Sequence, residues 1–248
     1  MSLTTMDKIE KVMIVCDPGM VEFGYTKTVE NVLRQRTEQP QIKIFSEVEP
    51  NPSTNTVYKG LEMMVDFQPD TIIAFGGGSA MDAAKAMWMF FEHPETSFFG
   101  AKQKFLDIGK RTYKIGMPEN ATFICIPTTS GTGSEVTPFA VITDSETNVK
   151  YPLADFALTP DVAIIDPQFV MSVPKSVTAD TGMDVLTHAM ESYVSVMASD
   201  YTRGLSLQAI KLTFEYLKSS VEKGDKVSRE KMHNASTLAG MAFANAFL

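Results

Sequence analysis

Up to Asp166, short runs of apolar, often β-branched residues alternate with amphipathic stretches. Runs that are apolar at nearly every position are typical of strands buried on both faces of a sheet. Apolar residues spaced three or four apart in the stretches between them predict helices. Strand, helix and strand in turn indicate a parallel sheet wrapped by helices, because parallel neighbours need a long crossover. The predicted strands are Val12–Cys16, Ile42–Phe45, Thr71–Phe75, Phe123–Ile126, Ala140–Thr143 and Val162–Ile165, and the predicted helices are Thr28–Arg36, Thr54–Phe67 and Ser79–Phe91.

After Asp166 the strand pattern ends and helical periodicity takes over. Helices are predicted over Ser176–Met197, Tyr201–Glu222 and Arg229–Phe247, with a break at Gly224-Asp225. The sequence therefore predicts an α/β protein with two domains. Residues 1–166 form an N-terminal parallel-sheet domain, and residues 167–248 form the start of an all-helical domain.

Composition narrows the classes of partner. The 248 residues carry a formal net charge of −8, which argues against a nucleic-acid or anionic-lipid partner, since both require a cationic face. No apolar run approaches a membrane span and the N-terminus has no secretory signal pattern. Cys16 and Cys125 lie inside apolar runs without metal-binding spacing, so we expect a reducing, cytoplasmic protein.

Two features at strand ends are candidate nucleotide contacts. The turn Gly76-Gly77-Gly78-Ser79 follows a predicted strand and opens a helix, where free N–H groups and the helix dipole favour a phosphate. The alternative is a tight turn capped by Ser79. Asp17 ends the first predicted strand, where a carboxylate accepts hydrogen bonds from a ribose and repels a 2′-phosphate. Its alternative role is to form the turn before Pro18-Gly19.

The segment Pro127–Glu135 is rich in hydroxyls and follows another predicted strand. A segment that follows a strand is expected at the carboxyl edge of the sheet, where open α/β folds bind ligands. Hydroxyls there can donate to phosphate or ribose oxygens. Capping of local backbone groups is the competing explanation.

Asp184 and His188 lie four residues apart on a predicted helix and share one face. A carboxylate oxygen and an imidazole nitrogen at that spacing can chelate one divalent cation, or can simply form a surface hydrogen bond. The other histidines, His93 beside Pro94 and His233 on a polar helix face, are interpreted as structural.

Taken in order, these blocks resemble the iron-containing (group III) alcohol dehydrogenase family. The stretches His93–Thr96, Lys150–Asp155 and Met197–Asp200 are similar in particular to the alcohol-dehydrogenase half of bifunctional aldehyde–alcohol dehydrogenases. The resemblance implies a first domain that binds NAD, with Asp17 on the adenosine ribose. It implies that Asp184 and His188 are metal ligands, for Fe²⁺ or alternatively Zn²⁺, and that the metal acts on a bound alcohol as a Lewis acid. The blocks are Gly76–Asp82, Pro127–Glu135, Asp155–Pro160 with Asp166, and Gly182–Glu191. The implied pyrophosphate contacts are Gly77, Gly78, Ser79 and Asp82, and the implied lining of the remaining cofactor cleft is Asn51, Thr128, Thr129, Thr132, Thr137 and Lys150.

The resemblance also sets the expected reaction, hydride transfer between a primary alcohol or aldehyde and NAD(H), in a homo-oligomer. In the family, two further His ligands follow a segment like Ala239–Leu248, so we expect this chain to be C-terminally truncated and inactive alone. Three alternatives stay open: a glycerol dehydrogenase-like enzyme, a dehydroquinate synthase-like enzyme, and a non-catalytic dinucleotide-binding or assembly module. Apolar residues around and beyond Asp184 favour a small apolar alcohol: Met183, Leu186, Met190, Met241, Phe243 and Phe247.

Overall fold

The computed structural model describes residues 3–6, 9–101 and 117–247. The chain divides into two compact units. The first, called here the α/β unit, comprises Met1–Cys125 and Pro138–Val162. The second, the helical unit, comprises Ile126–Thr137 and Ala163–Leu248, and so includes a segment that precedes the boundary predicted after residue 166.

A five-stranded sheet forms the centre of the α/β unit, in the strand order β2-β1-β3-β4-β7. Strand β1 pairs in parallel with both β2 and β3, as the predicted crossovers require. All positions of strand β3 are buried, which agrees with the apolar sequence that follows its first residue, Thr71. The strand bounds are β1 Lys11–Cys16, β2 Gln41–Phe45, β3 Thr71–Gly76, β4 Thr122–Pro127 and β7 Val162–Ala163.

Helices pack on this sheet through apolar faces. The ring of Trp88 on α4 stacks on Phe123 of β4 with centroids 4.6 Å apart, and its indole N–H donates to the carbonyl of Ala121 at 3.1 Å. That hydrogen bond allows the large ring to be buried without an unpaired donor. The helix bounds are α1 Pro18–Glu22, α2 Tyr25–Leu33, α3 Thr54–Phe67 and α4 Gly78–Glu92.

Two strand predictions need correction. Ala140–Thr143 is part of a strand, β5 (Phe139–Thr143), but it forms an antiparallel pair with β6 (Lys150–Ala154) and does not join the parallel sheet. The strand predicted over Val162–Ile165 is short, because Asp166 and Pro167 begin a 3₁₀ helix in which the Asp166 side chain accepts from the backbone N–H of Gln168. Helix α2 begins at Tyr25, earlier than predicted, after a left-handed Gly24.

The helical unit is built on three long helices. Helix α6 (Asp200–Glu222) begins with a capping box between Ser199 and Thr202. Helix α7 (Lys226–Ala246) begins after Asp225, whose side chain accepts from the backbone N–H of Ser228 at 3.0 Å. The break predicted at Gly224-Asp225 is therefore confirmed. The helices are α5 Lys175–Val194, α6 Asp200–Glu222 and α7 Lys226–Ala246, and they share a core of Val185, Ala189, Ala209, Leu212, Ala235 and Ala239.

None of the helices in the described ranges is both long and apolar enough to cross a membrane.

Candidate functional site

The glycine turn and Asp17 lie together in the α/β unit. Cys16 of β1 is paired with Phe75 of β3, so the residues that follow the two strands emerge side by side. Gly76 has φ +152°, and a Cβ there would stand 2.7 Å from Cβ of Ala80 and 3.1 Å from Oδ2 of Asp17. Only glycine fits this position without displacement of the carboxylate or the helix. Gly77 and Gly78 were the predicted pyrophosphate contacts of this turn. Gly76, its first residue, is the position with the steric requirement.

Helix α4 begins directly at this turn. Gly77 is its N-cap and Gly78 its first residue, and the N-cap contributes no side chain that could satisfy the first N–H groups. Those groups need another acceptor. An anion placed at this end of α4 would meet both the N–H groups and the positive end of the helix dipole.

Asn51, Ser79 and Lys150 form one hydrogen-bonded chain in the α/β unit. The backbone N–H of Asn51 donates to Oγ of Ser79 at 3.2 Å, and Nζ of Lys150 donates to Oδ1 of Asn51 at 2.7 Å. Asn51 has φ +57°, an uncommon conformation for a residue with a side chain. Its carbonyl also accepts from the hydroxyl of Thr143 at 3.3 Å, which ties it to the β5–β6 hairpin. The structure thus brings these three predicted residues together.

Asp82 makes a structural contact that the sequence did not predict. One of its carboxylate oxygens accepts from the backbone N–H of Val141 on β5 at 3.0 Å. The side chain therefore fastens the hairpin that carries Lys150 to helix α4.

The segment Pro127–Glu135, called here the hydroxyl-rich loop, lies in the helical unit, where α7 contacts it at three points. Oγ of Ser130 lies 3.0 Å from Nδ1 of His233, and the hydroxyl of Thr237 donates to the buried carboxylate of Glu135 at 2.8 Å. The third point is a close backbone contact between a left-handed Gly133 and Gly240. Among the predicted cofactor contacts in the loop and just after it, Thr128 and Thr137 are buried, and Thr129 and Thr132 are half-buried.

His233 was interpreted from the sequence as a structural residue on a polar helix face. In the structure it is buried, with an exposed fraction of 1%. Burial lowers its pKa to about 4, against a smaller opposite effect of Asp166, so the ring is neutral at pH 7. Its structural role is consistent with the contact to Ser130. The available signal was the spacing of His233, Thr237 and Gly240, which puts all three on one helix face.

Asp184 and His188 lie on helix α5 as predicted, with Oδ1 and Nε2 3.5 Å apart. The carboxylate side chain is 43% exposed and the imidazole side chain 25% exposed, so the pair is partly open to solvent. The ring of Phe243 lies against His188 with centroids 4.7 Å apart, and Nδ1 of His188 is buried with no hydrogen-bond partner among the described residues. Carboxylate oxygen and imidazole nitrogen suit Fe²⁺ or Zn²⁺. Across residues 3–6, 9–101 and 117–247, no group of three His, Cys, Asp or Glu side chains is placed to hold a metal ion.

Both units match models of one protein family. Residues 2–167 match the model for the iron-containing alcohol dehydrogenase, and residues 178–248 match the C-terminal model of the Fe-containing alcohol dehydrogenase family. The chain belongs to the iron-containing alcohol dehydrogenase family. The resemblance read from the ordered motifs is therefore confirmed.

Relatives of known name include both bifunctional and single-function members of the iron-containing alcohol dehydrogenase family. Aldehyde-alcohol dehydrogenase 2 of Entamoeba histolytica is 60% identical over 99% of this chain, which spans 28% of that protein. An NADPH-dependent butanol dehydrogenase of Clostridium saccharobutylicum is 49% identical over 97% of this chain, which spans 60% of it. The chain thus spans less than two thirds of either relative.

Solved structures of the family share the fold of this chain. A 1,3-propanediol oxidoreductase superposes with a TM-score of 0.87 at 36% identity, covering 97% of this chain and 60% of its own. A sulfoacetaldehyde reductase from Bifidobacterium kashiwanohense, solved with NAD⁺, gives a TM-score of 0.82 at 31% identity and covers 96% of this chain and 60% of its own. These likenesses confirm the predicted fold class, a parallel-sheet domain followed by helices.

Proposed function

We propose that this chain is the nucleotide-binding part, with two of the metal ligands, of a cytoplasmic oxidoreductase that transfers a hydride between a primary alcohol or aldehyde and NAD(H). The observation that carries the proposal is the turn Gly76–Gly78 at the end of β3, with the Asp17 carboxylate at the end of neighbouring β1. A phosphate seat beside a ribose acceptor is what a dinucleotide requires. A structural relative is an NAD⁺ complex, which supports the same ligand here.

Each predicted residue then has a role in the α/β unit. The N–H groups at Gly77 and Gly78 donate to the pyrophosphate, and Ser79 adds a hydroxyl donor. Lys150 supplies a positive charge near the same end of α4, because Asn51 links its ammonium group to Ser79. We assign Asp82 a positioning role through the hairpin, since a carboxylate in direct contact with a pyrophosphate would repel it.

In the helical unit, Thr128, Thr129, Thr132 and Thr137 supply hydroxyls for the cofactor, and Asp184 and His188 supply two ligands for Fe²⁺ or Zn²⁺. When bound, such a metal lowers the pKa of an alcohol and polarises an aldehyde carbonyl. Because a catalytic metal usually takes three or more protein ligands, the described residues account for part of the site only.

The surroundings of Asp184 favour an apolar alcohol over a polyol. Phe243 lies against the ring of His188, and Met183, Met190 and Met241 each expose 40% or more of their surface in the helical unit. A polyol or phosphorylated substrate needs hydrogen-bonding or charged partners. This distinction is the reason to prefer the alcohol dehydrogenase reaction over the glycerol dehydrogenase-like and dehydroquinate synthase-like reactions.

NADH and NADPH titrations, followed by nucleotide fluorescence, test the cofactor assignment. The wild-type chain is expected to bind NADH more tightly by about 1.5–3 kcal/mol, a factor of ~10–100, because Asp17 accepts from the ribose and repels a 2′-phosphate. Asp17→Asn should narrow the preference, whereas Asp66→Asn, an equal change of charge at an exposed position on α3, should leave it unchanged. Equal or tighter binding of NADPH by the wild type would refute the role of Asp17. The NADPH-dependent butanol dehydrogenase among the relatives makes that outcome a real alternative.

Catalysis is tested in a chain extended to the length of the single-function relatives. There, Asp184→Ala should abolish metal content and NADH formation from a short primary alcohol, while NADH binding persists. A protein that binds NADH but shows no turnover with any alcohol or aldehyde, even with its metal site filled, would be the non-catalytic module. The predicted homo-oligomer is checked in the same preparation by light scattering.

A further inference from the structure

A small cavity lies in the helical unit, with Ser130 of the hydroxyl-rich loop among its lining residues. Its volume is about 10 Å³, enough for one guest of the size of a water molecule. Ser130, Thr178, Thr181 and Ser220 contribute hydroxyls, Arg229 contributes the one charged group, and the other lining residues are apolar. No lining residue is acidic.

Arg229 is buried with a donor left over. Its exposed fraction is 5%, and its Nη atoms donate to Oγ1 of Thr178 at 2.6 Å and to the carbonyls of Val170 and Val173 at 3.2 and 2.9 Å. Its Nε is buried and has no partner among the described residues. Ser220, which is fully buried, likewise has an unpartnered Oγ. Two buried polar groups that line one cavity therefore lack the acceptor they need.

The charge of Arg229 is also uncompensated. Its partners are two carbonyls and a hydroxyl, and within the described ranges no carboxylate lies within ion-pair distance of it. Burial lowers the pKa of the guanidinium, although it stays protonated at any ordinary pH. A buried cation without a counter-charge is costly, and a bound anion would offset that cost.

We propose that this cavity binds one small inorganic anion, chloride in physiological solution, held by Nε of Arg229 and the hydroxyl of Ser220. A chloride ion accepts hydrogen bonds from both groups and neutralises the guanidinium. A water molecule would also accept from them but would leave the charge unpaired. Thr178 and Thr181 donate their hydroxyl hydrogens to the carbonyls of Pro174 and Val177 and are therefore not the donors to the ion. None of the lining residues is one of the nucleotide contacts proposed above.

Thermal unfolding in sodium chloride and in sodium gluconate at equal ionic strength tests the proposal. An anion that binds only the folded protein raises the unfolding midpoint with its concentration. We expect the wild type to be stabilised by chloride relative to gluconate, and Ser220→Ala and Arg229→Lys to lose most of that difference. Ser206→Ala is the matched control, because Ser206 is also fully buried and unpartnered on α6 but does not line the cavity.

A crystallographic experiment covers the case in which a variant fails to fold. Crystals of the wild-type chain are grown in sodium bromide, and anomalous scattering locates the bromide ions. A peak within hydrogen-bond distance of Nε of Arg229 and Oγ of Ser220 would support the site. A water molecule at that position with no anomalous signal, or an equal chloride effect in wild type, Ser220→Ala and Ser206→Ala, would overturn it.

Discussion

Replacement of Gly240 by alanine measures how tightly helix α7 holds the hydroxyl-rich loop. A Cβ on Gly240 would lie 2.9 Å from Cα and from the carbonyl oxygen of Gly133, and 2.9 Å from Cγ2 of Val136. Two of these atoms are backbone, and Gly133 is already in a left-handed conformation with φ +63°. The loop must therefore move away from the helix to admit one methyl group.

Two terms of opposite sign set the size of the effect. Alanine in a helix interior is favoured over glycine by about 0.8–1 kcal/mol. Insertion of a methyl group into a packed contact costs about 1–3 kcal/mol. Gly204→Ala on α6 separates the two terms, because a Cβ there meets nothing within 4 Å and gains the helix term alone. The difference between the two variants is therefore the packing cost, about 1–3 kcal/mol.

The assay is thermal unfolding of both variants beside the wild type. Gly204→Ala should raise the midpoint by about 2–4 °C, the shift that 1 kcal/mol produces in a protein of this size, and Gly240→Ala should fall below Gly204→Ala by at least as much. NADH affinity should drop in Gly240→Ala only, because the loop that Gly240 contacts carries Thr128, Thr129 and Thr132. A Gly240→Ala protein as stable as Gly204→Ala would show that the loop is loosely held and would refute the predicted packing cost.

The other predictions concern single residues. Gly78→Val should abolish NADH binding by calorimetry while circular dichroism stays native, because the side chain obstructs the turn; normal binding would make the turn a mere connector. Burial, with a smaller effect of Asp17, raises the pKa of Cys16 to about 12, so iodoacetamide at pH 8 should label it only after unfolding; rapid labelling of the native protein would contradict this. His233 takes up a proton near pH 6.5 in the unfolded state and only near pH 4 in the folded state. The free energy of unfolding should therefore fall by up to ~3 kcal/mol as the pH is lowered from 6.5 to 4. His233→Asn should remove this pH dependence in urea titrations. The chain should retain Zn²⁺ weakly in equilibrium dialysis and lose it in Asp184→Ala; tight binding that survives the substitution would require other ligands.

Much of the fold follows from local patterns in the sequence. Helix α3 occupies the predicted residues Thr54–Phe67, because Ser53 caps its first turn and Gln68 ends it in a left-handed conformation. Strand β6 was missed for a physical reason. Pro152 lies in its middle, and proline normally argues against a strand because it lacks a hydrogen-bond donor. The β5–β6 pair tolerates it, and this hairpin is what carries Lys150 to Asn51.

The candidate site was predictable where its residues follow one another in the chain. The glycine turn and the hydroxyl-rich loop each lie directly after a strand, so position in the chain already places them at a strand end. The contact between Asp17 and Gly76 depends on which strands are neighbours. The strand order places β1 beside β3, and no local pattern encodes that order. Lys150 and Asn51, 99 positions apart, were identified only through the family resemblance.

Helical spacing shows which residues share a face, but not what covers that face. Asp184 and His188 are four apart, and so are His233 and Thr237. The first pair is partly exposed to solvent. The second pair is turned against the loop, where one member contacts Ser130 and the other donates to Glu135. The sequence predicted a functional role for the first pair and a structural role for His233, on a polar helix face where side chains are usually solvated. The covering loop, about 100 residues earlier in the chain, gives His233 its role, so a buried histidine of this kind becomes visible only when the tertiary contact is known.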